Sequence, residues 1–585
     1  MDSEEVDIHP VAATNGYGYN DVYTAATKLR AQRPSYSQAT AWKRRLQFDS
    51  LDHTLDRVNV LGNGDTIGHT GCVNALSWAR NGELLLSGGD DTTVRIWRMD
   101  TSDTSQEYPF VCDAVIRTGH RSNIFNAQML PHSTRIATVA RDKQVRVFDV
   151  TDVLAQPGDG RETVYTARQT SARVLRCHNG SVKRVTTEDS PDVFLTVSED
   201  GTVRQHDLRA PHTCQSGGCP APLVQFSHGL STLSMSPLTP WQFVVAGESP
   251  YGYLFDRRQI GRRVEQEWGV PPDSTKLTTC VRRFGRPERG SGEMKATAHI
   301  TGSRMASSNG HEVLLSYSAD AVYLYSVYDD PVEPSKISSG ILAANDKPPR
   351  RRSSGSESQT SRRTFAEEVA SGNSPEARRV GDELNELMER DIQAYLDEAS
   401  QAAEPSEAER EEREQDVSHD HDEDEDEDMS SSEDEEDGEP HSDIPVVLPR
   451  SRYADICNVE TVKDVNFLGP TDEFVASGSD DGNLFIWKKN TGKLHDILEG
   501  DEHVVNVIEC HPYLPLIAAS GIDHTVKLFA PTRGRSSFSR MHDSEAIIKR
   551  NVDASARRMD LSTLITYARI AHRVGALTGE DCTTQ

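Results

Sequence analysis

Short apolar runs alternate with polar turn residues along two stretches of the chain, roughly residues 55–330 and 451–532. In the first stretch, Leu84–Leu86 is followed by Ser, Gly and Asp residues and then by Val94–Trp97. Runs this short, bounded by turn formers, are typical of β-strands joined by tight turns. Neither stretch shows the spacing of an amphipathic helix. The pattern therefore predicts that both stretches are built of strands.

The strands fall into a repeat marked by a histidine and, 26 to 28 residues later, by a residue with a ring side chain, Trp, Phe or His. The first repeat runs from His69 to Trp97. The same frame recurs from His120 to Phe148, His178 to His206, His228 to Phe255 and His503 to Phe529. Four short strands in each repeat unit are typical of a blade of a β-propeller.

A second marker is an Asp six residues before the ring, which occurs at Asp91, Asp142, Asp200, Asp481 and Asp523. Two weaker repeats end at Tyr325 and Trp487 and bring the count to seven. The sequence therefore predicts an all-β fold, a seven-bladed WD40 β-propeller. The apolar run Val58–Leu61, before the first repeat, could supply the outer strand of the last blade and so close the ring.

We interpret the repeated His and Asp residues as structural ties. In the first repeat, Asp91 is expected to orient the imidazole of His69, which bonds onward to the hydroxyl of Ser87 and the indole of Trp97. The same role is assigned to His120, Asp142, Asp200, Asp481, Trp487 and Asp523. No nucleophile elbow, phosphate-binding loop or metalloprotease motif accompanies them. We therefore expect a chain that is not an enzyme, has no catalytic residues and needs no cofactor.

The markers divide the chain into five parts. Residues 1–54 are a tail with a helix–loop–helix, 55–330 hold blades one to five, and 331–450 are an insertion between blades five and six. Residues 451–532 hold blades six and seven, and 533–585 form a helical tail.

The insertion is strongly acidic. The chain has a net charge of −29, and residues 341–440 contain 33 acidic and 11 basic side chains, which give −22 of that charge. Few aromatics and many Ser, Glu and Pro residues predict disorder. Pro375–Ala403 has helical spacing, and that helix either docks on the ring or a partner or is a transient turn. An acidic balance argues against nucleic acid as the main partner.

The acidic run also contains candidate modification sites. Ser430, Ser431 and Ser432 are each followed three residues later by an acidic residue, a spacing that suits an acid-directed kinase. A solvated spacer is the simpler reading, and attraction of a basic partner is the alternative. Lys347 and Arg350–Arg352 resemble a nuclear-import patch, so the expected location is nucleus and cytoplasm.

Both ends outside the repeats predict helices. Asn20–Arg33 and Ser37–Phe48 are separated by Pro34. The second places Trp42 and Leu46 beside Arg44 and Arg45, more apolar area than a free tail tolerates, and so suggests a docking element. Ser544–Ala576 is expected to form a helix that packs against the propeller.

Nine scattered cysteines and the lack of a basic, apolar leader favour a reducing compartment. Cys214 and Cys219, with His212 nearby, could be half a zinc site, but no second pair has ligand spacing. A plain Gly-rich loop at Gln215–Gly218 is the preferred reading, so no metal is expected. No apolar run reaches membrane-spanning length, and no membrane partner is expected.

Two blade ends have a finer signature, His206-Asp207-Leu208-Arg209 and Phe255-Asp256-Arg257-Arg258. Both resemble the Trp-Asp-x-Arg box of DCAF proteins, the substrate receptors of cullin-4 RING ubiquitin ligases. Segments such as Gly119–Phe125, Leu315–Asp320 and His503–Asn506 are similar to one vertebrate member, whose calmodulin-type segment before the sixth blade has no counterpart here. The resemblance implies that Asp207, Arg209, Asp256 and Arg258, with the N-terminal helix residues, dock on the ligase's propeller adaptor.

Under this resemblance the chain is a substrate receptor that presents a protein target for ubiquitination, while the sequence does not name that target. A purely structural role for the two arginines is the alternative at residue level. The alternative function is a chromatin or transcription scaffold, in which the propeller binds histone or receptor peptides and the acidic tract contacts basic tails.

Overall fold

The computed structural model describes residues 51–332 and 441–555, apart from residues 52, 64–67, 101–107, 156–161, 211–213, 215–218, 261–277, 288–298 and 533. The described residues form seven sheets, each built on four antiparallel strands, and the first strands of neighbouring sheets contact one another in a closed ring. This confirms the seven-bladed β-propeller.

The first three blades follow one another directly along the chain. Blade one has β2 (Val73–Ala79), β3 (Leu84–Gly89), β4 (Thr93–Met99) and β5 (Phe110–Arg117). Blade two has β6 (Ile124–Met129), β7 (Arg135–Ala140), β8 (Val145–Asp149) and β10 (Arg173–Leu175). Blade three has β11 (Val182–Thr187), β12 (Val193–Ser198), β13 (Thr202–Asp207) and β14 (Val224–Gln225).

The other four blades include the two regions that flank the insertion. Blade four has β15 (Leu230–Met235), β16 (Gln242–Gly247), β17 (Gly252–Ile260) and β18 (Thr278–Phe284). Blade five has β19 (Ile300–Met305), β20 (Glu312–Tyr317), β21 (Val322–Ser326) and β23 (Ser451–Tyr453). Blade six has β24 (Val465–Leu468), β25 (Phe474–Gly478), β26 (Asn483–Lys488) and β27 (Leu494–Glu499).

Blade seven is built from both ends of the ring. Its first three strands are β28 (Val505–Cys510), β29 (Ile517–Gly521) and β30 (Val526–Pro531), and its outer strand is β1 (Leu55–Leu61). β1 runs antiparallel to β30, with Leu55 opposite Pro531 and Leu61 opposite Val526. The expected closure by the segment before the first repeat is confirmed. It satisfies the backbone groups that an open sheet edge would leave unpaired.

Two blades have a fifth strand that the repeat pattern does not predict. β9 (Thr163–Thr166) pairs parallel to β5, and β22 (Val446–Val447) pairs parallel to β18. Both lie at the outer rim of the ring. They cover the edges of the fourth strands in blades one and four.

Apolar side chains form the cores between neighbouring blades. Between blades one and seven, for example, Leu85 and Trp97 pack with Leu516, Val526 and Leu528. Each blade is therefore buried on both faces, and its stability depends on its neighbours.

Helices are few among the described residues. α1 (Thr151–Ala155) follows β8, and α2 spans residues 544–555 after a short 3-10 turn at Met541–Asp543. The side chain of Ile547 is buried against Tyr453 and Trp487, and Asn551 donates a hydrogen bond of 3.1 Å to the carbonyl of Asp455. The expected C-terminal helix against the propeller is present over residues 544–555, and residues 556–576 of the predicted helix lie outside the described part of the chain. None of the helices that the structure describes is long and apolar enough to cross a bilayer.

The long insertion enters and leaves the ring at one place. By repeat markers it falls after the fifth ring residue, but by strands it falls inside blade five, because β23 returns to complete that sheet. The fourth strand of a blade contains neither the aromatic marker nor the Asp marker. The boundary predicted at 450/451 therefore leaves β22 in the insertion and assigns β23 to blade six, whereas β23 belongs to blade five. Val332 donates a backbone hydrogen bond of 2.8 Å to Val446, which brings the two flanks side by side. The acidic run, Pro375–Ala403 and Ser430–Ser432 lie outside the described residues.

We predict that removal of residues 341–440 leaves a soluble ring that unfolds cooperatively. Val332 and Val446 already pair, and residues 333–340 remain as the connection, so joining the flanks costs little chain entropy. Circular dichroism melts of the shortened and full-length chains check this. Loss of soluble expression, even with an added Gly-Ser bridge, would show that the insertion contributes to the core.

Candidate functional site

The predicted ties occupy one face of the ring, at the turns between second and third strands. In blade one, His69 Nδ1 lies 3.0 Å from Asp91, His69 Nε2 lies 2.8 Å from Ser87 Oγ, and Trp97 Nε1 donates to the same hydroxyl at 2.8 Å. All four residues meet as expected. Burial raises the pKa of Asp91, but the bonds from His69 and Thr93 outweigh it and hold that pKa at about 2.

Blades two and three repeat the arrangement with a threonine hydroxyl. His120 lies 3.0 Å from Asp142 and 2.8 Å from Thr138 Oγ1. In blade three, His178 bonds Asp200 and Thr196, and Thr196 Oγ1 lies 2.8 Å from His206 Nε2. His206 therefore takes the place that Trp97 has in blade one.

Blades six and seven differ from the repeat frame. Asp481 accepts the backbone N–H of Asn483 at 3.3 Å, and the residue 22 positions before it is Val459 in place of a histidine. Trp487 is buried there against Phe485 and Tyr453.

In blade seven the tie is an ion pair. Asp501, and not His503, stands 22 residues before Asp523, and Lys527 bridges the two carboxylates. His503 is exposed, so its use as the histidine of this repeat was wrong. The buried ammonium substitutes for the imidazole because it can donate to both acids.

The two predicted boxes lie on the opposite face, where first strands end, second strands begin and third strands end. We call this the box face. At the end of β13, Arg209 Nε and Nη2 donate to the two oxygens of Asp207 at 2.9 and 2.8 Å, and its backbone N–H donates at 3.0 Å. The side chain of Arg209 is 65% exposed.

The second box has the same geometry one blade further on. Arg258 Nε and Nη2 donate to Asp256 at 3.0 and 2.6 Å, and its backbone N–H donates at 3.0 Å. The side chain of Arg258 is 61% exposed, and its guanidinium lies 4.7 Å from the ring centre of Trp241. Each box therefore holds one exposed guanidinium by a two-point bond to its own aspartate.

The box carboxylates are ionised at any physiological pH. The hydrogen bonds from Arg209 lower the pKa of Asp207 to about 2, and those from Arg258 lower the pKa of Asp256. Loss of an arginine would not neutralise its aspartate but would leave it without its guanidinium partner.

Blade two has the aspartate of this motif without the arginine, and it shows what the aspartate does alone. Asp149 follows Phe148 and accepts the backbone N–H and hydroxyl of Thr151 at 3.0 and 2.6 Å. The aspartate therefore stabilises the turn by accepting hydrogen bonds, and a threonine two residues later can donate them in place of an arginine. By sequence, only the third and fourth of the seven blade ends combine this aspartate with an arginine two residues later.

Other arginines fix the two boxes in the ring. Arg257 forms an ion pair with Glu188 and donates to Gln205 at 3.0 Å and to the carbonyl of Pro240 at 2.6 Å, so it ties blade four to blade three. Arg173 of blade two donates to the carbonyl of Leu208 at 2.7 Å. Sequence reasoning missed both braces, because they join segments that no local pattern relates.

Exposed apolar side chains extend the box face into blade five. Leu238, in the turn between β15 and β16, is 52% exposed, and Tyr328, just after β21, is 73% exposed. The ring centres of Tyr328 and His311 lie 4.8 Å apart, with the two ring planes tilted by 34°. With Trp241 they give the box face apolar area next to its two guanidinium groups.

The channel at the centre of the propeller contains acidic and basic side chains that form ion pairs with each other. Arg184 of blade three pairs with Asp464 of blade six. Arg304 of blade five binds both oxygens of Glu509 of blade seven, at 3.1 and 3.0 Å. These pairs brace strands across the channel.

Three cysteines form a potential metal-ligating group. The Sγ atoms of Cys177, Cys214 and Cys219 all lie within 4.8 Å of one another. The sequence indicated Cys214 and Cys219 but missed Cys177, which comes from another blade. His212 lies outside the described residues, as do Trp42, Arg44, Arg45 and Leu46.

Comparison with known proteins identifies the repeat. The sequence pattern described as "WD domain, G-beta repeat" matches residues 63–98, 112–149, 169–207 and 457–488, which fall in blades one, two, three and six. The chain therefore contains WD40 repeats. Such propellers are typically non-catalytic scaffolds, and no enzymatic family is indicated.

Three relatives show how far the similarity extends. WD repeat protein iqw1 from Schizosaccharomyces pombe is 36% identical over 45% of this chain and 32% of its own length. Protein ALTERED SEED GERMINATION 2 from Arabidopsis thaliana is 25% identical over 86% of this chain and 89% of its own length. DDB1- and CUL4-associated factor 6 from Homo sapiens is 30% identical over 46% of this chain and 28% of its own length. The match spans about a third of the length of the yeast and human relatives.

We predict that Arg257 and the box arginine Arg209 differ in their contribution to stability. Arg257→Ala leaves Glu188, whose side chain is 18% exposed, without its cation, and should lower the free energy of unfolding by about 1–3 kcal/mol. Arg209→Ala removes a side chain that is 65% exposed, and its partner Asp207 is itself 30% exposed, so the urea midpoint should stay nearly unchanged. Arg258→Ala leaves Asp256, whose side chain is 3% exposed, without its guanidinium and should lower the midpoint. If Arg209→Ala unfolds at as low a urea concentration as Arg257→Ala, the first box arginine is a structural brace.

Proposed function

We propose that this scaffold is the substrate receptor of a cullin-4 RING ubiquitin ligase and that its box face docks on the ligase's propeller adaptor. The observation that best supports this proposal is a pair of identical Asp–Arg forks on adjacent blades. In each fork an exposed arginine donates two hydrogen bonds to the aspartate two residues before it. Similarity to a protein named DDB1- and CUL4-associated factor 6 supports the same assignment.

The forks suit recognition because each guanidinium is held before a partner arrives. Nε and one Nη2 proton of Arg209 and of Arg258 bind their own aspartates, which leaves the remaining N–H groups directed away from the fork. A planar group fixed in this way recognises carbonyl or carboxylate oxygens with little further loss of rotamer freedom.

The N-terminal arm enters the ring on the same face. Leu55, the first residue of β1, pairs with Pro531 at the end of a third strand, and such ends lie on the box face. Leu51 is buried just before it, against Leu468 and Phe474. An arm bearing Trp42, Arg44, Arg45 and Leu46 therefore starts on the side of the ring where the forks lie, and we propose that both contact the adaptor.

The opposite face is left for the target in this proposal. It includes the mouth of the channel, where Val462 is 42% exposed and Lys183 lies 4.2 Å from the ring centre of Phe125. The chain performs no chemistry, and the associated ligase transfers ubiquitin to the target. Lys347 and Arg350–Arg352 favour a location in nucleus and cytoplasm.

A second candidate function is a chromatin or transcription scaffold. The charge of −22 in residues 341–440 favours it, because a dense acidic tract attracts basic histone tails. Phosphorylation at Ser430, Ser431 or Ser432 would strengthen that attraction.

Affinity purification of the tagged chain from its own cells, with quantitative mass spectrometry, separates the two functions. Receptor function requires adaptor and cullin at near-stoichiometric amounts. Histones or receptor proteins without adaptor and cullin would contradict it and support the scaffold.

We predict that Arg209→Ala/Arg258→Ala removes adaptor binding without unfolding the ring. Arginines at desolvated interface centres commonly cost about thirtyfold in affinity each on truncation. Both arginine side chains are more than half exposed in the free chain, but the Asp256 side chain is only 3% exposed, so the melting temperature should fall slightly while the ring stays folded. Isothermal titration with purified adaptor, beside a thermal melt of the same preparation, measures both quantities.

Two further variants complete this experiment. Arg121→Ala removes an exposed arginine on the opposite face and should bind as the parent does. Trp42→Ala should weaken adaptor binding while leaving the ring intact. Normal adaptor affinity of a stable double-arginine variant would refute docking through the boxes.

A further inference from the structure

Three thiols from two blades meet at the outer rim of the ring. Cys177 lies two residues after β10 of blade two and is buried. Cys214 and Cys219 lie in the connector between β13 and β14 of blade three and are half-buried. The Sγ atoms of Cys177 and Cys214 are 3.6 Å apart, and all three lie within 4.8 Å of one another.

We propose that Cys177, Cys214 and Cys219 bind one zinc ion that staples blade two to blade three. Zinc takes thiolate ligands at about 2.3 Å in tetrahedral geometry, which places neighbouring sulfurs about 3.8 Å apart. The Cys177–Cys214 separation of 3.6 Å is already close to that value, and the other two separations, which are at most 4.8 Å, need to contract by no more than about 1 Å. Soft sulfur donors select zinc over magnesium or calcium, which bind oxygen.

The surroundings favour such a site. The backbone N–H of Arg176 donates to Cys214 Sγ at 3.2 Å, a bond that helps to orient a metal thiolate. Arg204 donates to the carbonyl of Pro220, the residue after Cys219, at 2.7 Å, so a positive charge is fixed beside the cluster. Three thiolates and one zinc ion have a net charge of −1, which this guanidinium offsets in part. The half-buried Cys214 and Cys219 leave the fourth metal position accessible to water or another ligand.

The proposed zinc ion would tie a long connector to blade two. Sixteen residues, 208–223, separate β13 from the two-residue strand β14. The connector also begins at the first box, since Cys214 follows Arg209 by five residues. Zinc would fix the loop next to the docking arginine, yet the site itself does not depend on adaptor docking.

The test measures metal on the purified full-length chain, without adaptor. Protein expressed with zinc and desalted against a weak chelator should retain about one zinc per chain by mass spectrometry of the metal. Replacement of zinc by cobalt should give the visible absorption of tetrahedral cobalt thiolate. Cys177→Ser, Cys214→Ser and Cys219→Ser should each lose zinc and that spectrum. Cys280→Ser, a buried cysteine outside the cluster, should retain both.

Two additional measurements keep the proposal open to refutation if a variant folds poorly. Strong chelation of the unmutated chain should expose residues 208–223 to limited proteolysis, and added zinc should restore protection. The proposal is overturned if the unmutated chain binds neither zinc nor cobalt, or if the variants retain zinc. A Cys177–Cys214 disulfide in freshly purified protein, seen by peptide mapping without reductant, would overturn it as well.

Discussion

The pairing of β1 with β30 is the constraint on which the rest of the structure depends. Every blade buries apolar side chains against both neighbours, so a ring that failed to close would expose the cores on either side of blade seven. Closure uses two segments more than 450 residues apart, Leu55–Leu61 and Val526–Pro531. Because the insertion enters and leaves beside one paired bridge, an acidic segment of about a hundred residues can interrupt the chain without interrupting the ring.

The two faces of the closed ring differ in the side chains that they present. The His, Asp and hydroxyl ties fix the turns of one face, and in blade seven Lys527 does the same work between Asp501 and Asp523. The other face repeats an aspartate at the ends of third strands. In blade two that aspartate binds a threonine, and in blades three and four it holds an exposed arginine. A structural turn has thus become a way to present a rigid cation.

Markers at regular spacing made the fold predictable from sequence. The residues with ring side chains, together with the Asp six positions earlier in five of the repeats, were enough to predict seven blades. The apolar run Val58–Leu61 was enough to predict how the propeller closes. The fork geometry also followed from local sequence, since Asp207 and Arg209 are two residues apart. His503 was taken for a tie because a histidine near the right spacing is easily mistaken for the marker. The aspartate–lysine substitution leaves no histidine to find.

Contacts between blades could not be predicted in the same way. Arg257 reaches Glu188 across 69 residues, and Cys177 meets Cys214 across 37, because neighbouring blades set their register. Strands β9 and β22 are short and parallel, so neither leaves a periodic pattern. The contacts of Arg257 brace the second box, and Cys177 completes the cysteine cluster.

Hydrogen–deuterium exchange of the chain with and without the purified ligase adaptor tests most directly whether the box face is the docking surface. If it is, exchange should slow at the ends of β13 and β17, residues 205–210 and 254–260, and in the N-terminal arm before Leu51. Exchange at the tie face, around Asp91, Asp142 and Asp200, should be unchanged. Protection confined to the tie face, or none at either box in a saturated complex, would contradict docking at the box face.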